Sequence, residues 1–117
     1  MRPEDRVRVR HMIDAAEAVG QFVAGRGRED LDRDRMFLFA VVHAIEVIGE
    51  AAAKVSMETR AASPGIPWSA IIGMRNRLIH GYFDIDTELV WVTATQEVVS
   101  LLERLRSLAG DDRPAGP

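Results

Sequence analysis

Residues 75–82 concentrate the side chains of this sequence that could do chemistry. Two arginines, an asparagine, a histidine and a tyrosine fall within these eight positions. No acidic residue occurs from position 59 to position 83, although the whole chain carries a formal net charge of −3. The net charge argues against coating of nucleic acid over the whole surface, but it is compatible with one local phosphate site. The segment is therefore a candidate phosphate-binding site.

Arg75 and His80 are the two residues of this segment that could cleave RNA without a metal ion. The guanidinium of Arg75 would hold the non-bridging phosphate oxygens as a fork and offset the charge of the transition state. The imidazole of His80 would move a proton, since histidine ordinarily titrates near neutral pH. The ribose 2′-hydroxyl would attack, so no protein nucleophile is required. By spacing alone the pattern is weak, because a histidine at a helix end is more often a cap than a catalyst.

The five-residue spacing restricts how Arg75 and His80 could meet. In a continuous helix they would point about 140° apart, unlike residues three or four apart. The arginine could reach around, the helix end could turn His80 back, or two chains could combine their residues. Asn76 and Arg77 would be the helical neighbours of His80 and are candidate supporting residues. Gly81 would be the left-handed residue just beyond the helix, with His80 on its last turn.

The elements that must position this segment read as helices, because apolar residues recur at intervals of three and four. Breakers and caps predict four helices: from near Pro3 to Gly25 and Gly27, from Leu31 or Arg35 to Val55, from Pro67 or Trp68 through Ile79, and from about Glu88 to Ala109. We expect Asp86 or Thr87 to cap the last helix and Gly110 to stop it. The prediction is one all-α domain over residues 1–109, an up-and-down helical bundle, followed by a disordered tail over 110–117.

The second helix has an apolar face that is broader than one packing neighbour requires. The positions that widen the face are Met36, Phe39, His43 and Val47. Either this helix contacts both the core and a second subunit, or it is a central helix packed on two sides within one chain. Gly49 and Gly73, predicted to lie inside helices, would allow a close helix–helix approach, most simply at a dimer seam.

Glu46 and Glu50 lie one helical turn apart, with Lys54 one turn further. They could form an ordinary exposed ion-pair ladder. Alternatively, one of the two carboxylates faces the candidate site and orients His80 or an arginine.

The remaining histidines and the tryptophans have plainer interpretations. His11 and His43 match no metal-ligand spacing, so we expect partly buried structural histidines and no metal site. Trp68 and Trp91 are predicted to be core or interface anchors rather than platforms for base stacking. The chain has no cysteine, which excludes disulfides, thiolate metal sites and a thiol nucleophile. No cofactor is expected.

Three separated segments, 44–52, 66–83 and 90–91, in this order and spacing, resemble the HepT-like toxins of the HEPN superfamily. The resemblance covers nearly the whole chain to about Ala109. It implies an all-α HEPN bundle that forms a homodimer, with a ribonuclease site in the cleft between subunits. The family motif is an arginine, four residues, a histidine, one residue and a tyrosine, which fall here on Arg75, His80 and Tyr82.

The resemblance also implies a protein partner. Such toxins pair with MntA-like minimal nucleotidyltransferase antitoxins, which can adenylylate the motif tyrosine, Tyr82 in this chain. Nucleotide phosphate beside the cationic pair would fill the site with negative charge and bulk. We therefore expect a metal-independent endoribonuclease toxin of a type VII-like pair, which acts on RNA. The alternative is a non-catalytic dimeric adaptor that binds the nucleotidyltransferase or a nucleotide. Without a visible signal peptide or a bilayer-length apolar run, we expect a cytoplasmic protein that does not enter membranes.

Overall fold

The computed structural model describes residues 1–81 and 84–110, and this part of the chain folds as an all-α bundle. The α-helices are α1 (Pro3–Val23), α2 (Asp30–Arg33), α3 (Arg35–Ala53), α4 (Met57–Ala62), α5 (Trp68–Ile72), α6 (Met74–Leu78), α7 (Thr87–Val92) and α8 (Val98–Ala109). A π-helical turn, Thr93–Glu97, joins α7 to α8. The long helix α1 packs on α3 and α8, and the short helices α5 and α6 lie against α3.

The predicted bounds of the long helices hold closely, because local signals set them. Pro3 occupies the first turn of α1, and Gly25 has a positive φ of 75° just after the helix ends. The side chain of Asp34 accepts a hydrogen bond from the backbone N–H of Phe37 and caps α3. Asp86 caps α7 in the same way, by accepting from the N–H of Leu89. Gly110 is the left-handed residue that ends α8, as predicted. Residues 111–117 lie outside the described residues.

The core lies where α1, α3 and α8 meet, and it is made of aliphatic side chains. Its largest fully buried members are Met12, Ile13, Leu31, Ile45, Ile48, Leu78 and Leu105. α3 is long and apolar enough, by composition, to match a membrane-spanning helix. The core helix of a bundle passes the same test, and the buried side of α3 accounts for much of its apolar character.

The widened part of the α3 face is not covered by the described residues of the chain. Met36 is 84% exposed and Phe39 is 50% exposed. His43 is also exposed, and Val47 is half-buried. Packing on two sides within one chain therefore does not account for the whole face. These four residues, the α3 stripe, form a largely apolar surface that is open to solvent at Met36, Phe39 and His43 and half-buried at Val47.

Two predictions about the middle of the chain are wrong. The predicted third helix is two short helices, α5 and α6, separated at Gly73, so Gly73 does not lie inside a helix. Gly49 does permit a close approach, but within one chain rather than at a dimer seam. A Cβ at Gly49 would lie 3.0 Å from the carbonyl oxygen of Ile71. The small residue therefore lets α5 sit directly on α3.

Candidate functional site

The helix α6 buries its first and last side chains and leaves the candidate cationic side chains between them exposed. Met74 and Leu78 enter the core, and Arg75, Asn76 and Arg77 between them are exposed. Because the helix has only five residues, its position depends on the anchoring of these two apolar side chains. The outward direction of Arg75 thus follows from the burial of its neighbours.

Arg75 is held by a carboxylate on α3. Its Nε donates to Oε2 of Glu46 at 2.6 Å. The side chain of Arg75 is 58% exposed, whereas that of Glu46 is 23% exposed. Neither Nη group of Arg75 makes a hydrogen bond or ion pair with another described residue. The terminal edge of the guanidinium is therefore open to a ligand.

Of the two glutamates that the sequence could not separate, the structure selects Glu46. Glu50 is exposed and borders a different cleft, of about 190 Å³, between α1 and α3. The ion-pair ladder along α3 is not formed in the described chain, because Glu46 bonds across to α6 and Lys54 makes no ion pair. The structure thus shows a contact between a glutamate and an arginine of the candidate site, Glu46 and Arg75, and the orienting role of this contact stays a prediction.

His80 lies outside the helix, and its placement on the last helical turn was wrong. α6 ends at Leu78, and Ile79 is extended, with φ −122° and ψ 119°. Ile79 forms an isolated antiparallel bridge with Ile85. The backbone N–H of His80 donates to the carbonyl of Asp84 at 2.7 Å. The helix therefore ends before His80, and the approach of the His80 imidazole to Arg75 stays a prediction.

The His80 imidazole is exposed and makes no hydrogen bond or ion pair with a described residue. It is therefore available to a substrate and is not serving as a helix cap. Gly81, the next residue, has φ 80° as predicted. The positive φ lets the chain reverse toward Ile85, which a residue with a Cβ rarely does. Tyr82, the predicted modification site, lies outside the described residues.

The two candidate supporting residues differ. The Nη2 group of Arg77 donates to the carbonyl of Ala70 at 3.3 Å and lies 4.0 Å from Oε1 of Glu97. Arg77 therefore ties α6 to α5 and to the π-helical turn. The side chain of Asn76 is exposed and makes no hydrogen bond with a described residue. Neither one contacts His80.

Among the other candidates, the tryptophans behave as predicted and the histidines do not. Trp68 is buried and donates its Nε1–H to the carbonyl of Ser63, and Trp91 is half-buried against the core. His11 and His43 are both exposed, so the expectation of partial burial was wrong. Their helices turn these positions outward. Within 1–81 and 84–110, no group of three metal-ligating side chains occurs.

The short β-bridge between Ile79 and Ile85, next to His80, was not predicted from the sequence. A usable signal was present, because two β-branched residues, Ile79 and Ile85, flank a glycine-containing segment. The signal was masked by the helical spacing of the residues before it. The consequence is chemical: an extended backbone at Ile79, and not a helical turn, sets the direction of His80.

This arrangement offers a guanidinium edge and an imidazole on one exposed end of the bundle. The guanidinium edge can bind an oxyanion with parallel hydrogen bonds. The imidazole can accept or donate a proton. One neighbouring carboxylate, that of Glu46, is already paired with Arg75. The site as it stands in one chain is open and shallow, and it suits a phosphodiester better than a small apolar molecule.

Comparison with known proteins gives a consistent family. The model of the ribonuclease HepT-like family matches residues 12–108. The probable ribonuclease HepT of Thermococcus cleftensis is 33% identical over 97 residues, which are 83% of this chain and 88% of that protein. A protein of Caldanaerobacter subterraneus that is named as an RNase is 32% identical over 98 residues. These residues are 84% of this chain and 88% of that protein. No solved structure matches the chain significantly. The family match begins within α1 and includes all of α3, α5 and α6 and nearly all of α8. The chain belongs to the HepT-like ribonuclease family.

Proposed function

We propose that the protein is a metal-independent endoribonuclease that uses Arg75 to bind the scissile phosphate and His80 to move protons. The proposal rests on the contacts of Arg75. Its Nε is held by Glu46, while both of its Nη groups are open. His80 stands five residues on with an unoccupied imidazole. Membership of a ribonuclease family supports RNA as the substrate.

The proposed reaction is an internal transesterification. The 2′-oxygen of the ribose attacks the adjacent phosphorus and gives its proton to the His80 imidazole. A new bond forms between the 2′-oxygen and phosphorus, and the bond from phosphorus to the 5′-oxygen breaks. The imidazolium returns a proton to the departing 5′-oxygen. The products are a 2′,3′-cyclic phosphate and a 5′-hydroxyl, and Arg75 offsets the charge on the phosphorane-like transition state.

The test is cleavage of RNA by the purified protein in the presence of EDTA. Wild-type protein should cut, and His80→Ala should lose the activity while it keeps its helical circular dichroism spectrum. Equal cutting by the two proteins would overturn the mechanism. Dependence on an added divalent ion would overturn the metal-independent chemistry. Absence of cutting by both, together with binding to a nucleotidyltransferase, would favour the non-catalytic adaptor.

A homodimer is part of this proposal, and the α3 stripe supports it. A contiguous apolar surface on a small domain commonly marks an interface with another protein. Glu46, the anchor of Arg75, lies on α3 between His43 and Val47 in sequence. Association of two copies through the stripe would therefore bring the two Arg75 sites to the border of the interface. Phe39→Glu should shift the mass measured by light scattering from dimer to monomer and lower the cleavage rate. A monomeric wild-type protein with full activity would contradict this part.

The biological role that we propose is a cytoplasmic toxin restrained by an MntA-like nucleotidyltransferase antitoxin. The motif tyrosine Tyr82 lies two residues after His80 in the chain. An adenylyl group added there would bring a phosphate next to the cationic residues and compete with RNA. Co-expression with such an enzyme should add an adenylate mass to the peptide that contains Tyr82. Labelling of Tyr82→Phe to the same extent would place the acceptor elsewhere.

A further inference from the structure

Glu46 has a specific role in the proposed reaction, beyond that of an exposed ion pair. We propose that Glu46 is a positioning residue: it holds the Nε side of the Arg75 guanidinium and presents the two Nη groups to the RNA phosphate. This inference rests on the proposed ribonuclease function. Glu46 itself neither contacts the substrate nor transfers a proton.

The atoms used in the contact support this role. A guanidinium has five N–H donors in a fixed plane, one on Nε and four on the Nη groups. Glu46 occupies the single donor on Nε, at 2.6 Å. The four donors on Nη remain without partners in the described chain. A carboxylate that accepted from both Nη groups would compete with phosphate, whereas this contact leaves the terminal fork free.

The position of Glu46 in the fold makes it a firm anchor. It follows Ile45 and precedes Ile48 on α3, and both isoleucines are buried in the core. The close approach at Gly49 keeps α5, and with it α6, against the same helix. Glu46 is therefore attached to the rigid part of the bundle, whereas Arg75 is attached to a five-residue helix. The long arginine side chain has much rotamer freedom to lose, and a fixed partner lowers the entropy cost of binding phosphate.

Stability does not explain the contact. An ion pair with one partner more than half exposed contributes little to folding, because water screens the attraction and both side chains lose freedom. Removing Glu46 should therefore leave the melting temperature almost unchanged. We expect the removal of Glu46 to change the orientation of the Arg75 guanidinium and thereby to lower the rate of RNA cleavage.

The experiment compares Glu46→Ala, Glu46→Gln and the matched control Glu50→Ala in RNA cleavage. Glu50 lies one turn further along the same helix, is exposed, and makes no contact with Arg75. We expect Glu46→Ala to lower kcat/KM by about 10- to 100-fold. Glu46→Gln keeps an acceptor for Nε without its charge and should retain part of the rate. Glu50→Ala should behave as wild type. Equal rates for Glu46→Ala and Glu50→Ala would overturn the proposal.

Two further readouts separate positioning from other roles. Glu46→Ala added to Arg75→Ala should cost nothing beyond Arg75→Ala alone, because Glu46 acts only through that arginine. The pH profile of kcat should keep its shape in Glu46→Ala. Additive losses, or disappearance of one limb of the pH profile, would show that Glu46 acts directly and would contradict the inference. If His80→Ala cuts as well as wild type, the proposed function fails; if only Glu46→Ala matches wild type, the positioning role fails.

Discussion

Two arginines of this protein bind carboxylates in opposite ways. Arg28, between α1 and α2, donates from Nη1 to Asp32 at 2.6 Å and from Nη2 to Thr87 at 3.2 Å, and its Nε side pairs with Glu88. Its side chain is 33% exposed. Arg75 has one carboxylate partner and is 58% exposed. All three guanidinium nitrogens of Arg28 have a partner, whereas only Nε of Arg75 has one.

The difference separates an arginine that builds the fold from one that can bind a ligand. Arg28 joins the connection after α1 to the beginning of α7, and the hydrogen bond to Asp32 is the main reason that the pKa of Arg28 is raised. The same bond lowers the pKa of the Asp32 carboxyl. Because each of the three guanidinium nitrogens of Arg28 already faces a partner, a phosphate there would compete with Asp32, Thr87 or Glu88. Arg75 can bind a phosphate without such competition.

The largest effect in this comparison should come from His80→Ala, on the open side. Loss of a group that transfers protons in the transition state costs about 10²- to 10⁴-fold in rate. Because the imidazole is exposed and contacts no described residue, the melting temperature should not change. Initial rates on a labelled RNA and a thermal melt measure the two quantities. A large fall in melting temperature would mean that His80 is structural.

Arg75→Lys and Arg28→Lys should give opposite results. Lysine keeps the charge but lacks the planar fork. At position 75 the cleavage rate should fall by about tenfold or more, with unchanged stability. At position 28 the melting temperature should fall, because a lysine cannot reach Asp32, Thr87 and Glu88 together, while the cleavage rate per folded molecule stays the same. Similar profiles for the two variants would remove the distinction between the two arginines.

Gly49→Ala should affect both stability and the site. The added Cβ would meet the carbonyl oxygen of Ile71 at 3.0 Å and force α5 away from α3. We expect a loss of about 1–3 kcal/mol in the free energy of unfolding. Cleavage should fall as well, since the distance between Glu46 and Arg75 depends on this approach. Gly20→Ala is the matched control: it lies in α1 with no atom within 4 Å of the added Cβ, so it should be neutral or stabilising. Urea titrations measure the free energy of unfolding of the two variants, and equal losses would contradict the prediction.

The smallest effect on cleavage should come from a buried structural carboxyl, whose contribution to stability depends on pH. Asp5 accepts hydrogen bonds from the hydroxyl and N–H of Ser56 and from the Thr59 hydroxyl. The Ser56 hydroxyl is the main cause that lowers the pKa of Asp5 from 3.8 to about 2. Because the folded state binds the proton more weakly, this stabilisation is present above pH 3.8 and is lost as the pH falls toward about 2.

Asp5→Asn should therefore melt at a lower temperature than wild type at pH 7, and the difference should shrink as the pH falls from about 4 to about 2. Thermal melts across this range measure the difference. A constant difference at every pH would show that the carboxylate charge is not involved. The cleavage rate at pH 7 should be that of wild type, since Asp5 joins α1 to α4 and lies outside the Arg75 site.

The long helices could be predicted because their signals are local. Pro3 and Gly25 bound α1, Asp86 caps α7, and Gly110 ends α8, each through bonds or φ values within a few residues. The helix α4 was not predicted, although its cap is local: the Ser56 hydroxyl accepts from the N–H of Thr59. Ser56 is itself held by Asp5, which is 51 residues away in the chain. No local pattern announces such a partner.

Residue types and spacing were enough to nominate Arg75 and His80, because a fork of donors and a titrating ring have their chemistry in any fold. Tertiary structure decided how the two side chains are held. Glu46 lies 29 residues before Arg75, and only the packing of α5 and α6 on α3 brings the two side chains together. His80 lies outside the helix because Ile79 is extended and pairs with Ile85. Chemical capacity is a property of single side chains, whereas direction and pairing depend on contacts between distant parts of the chain.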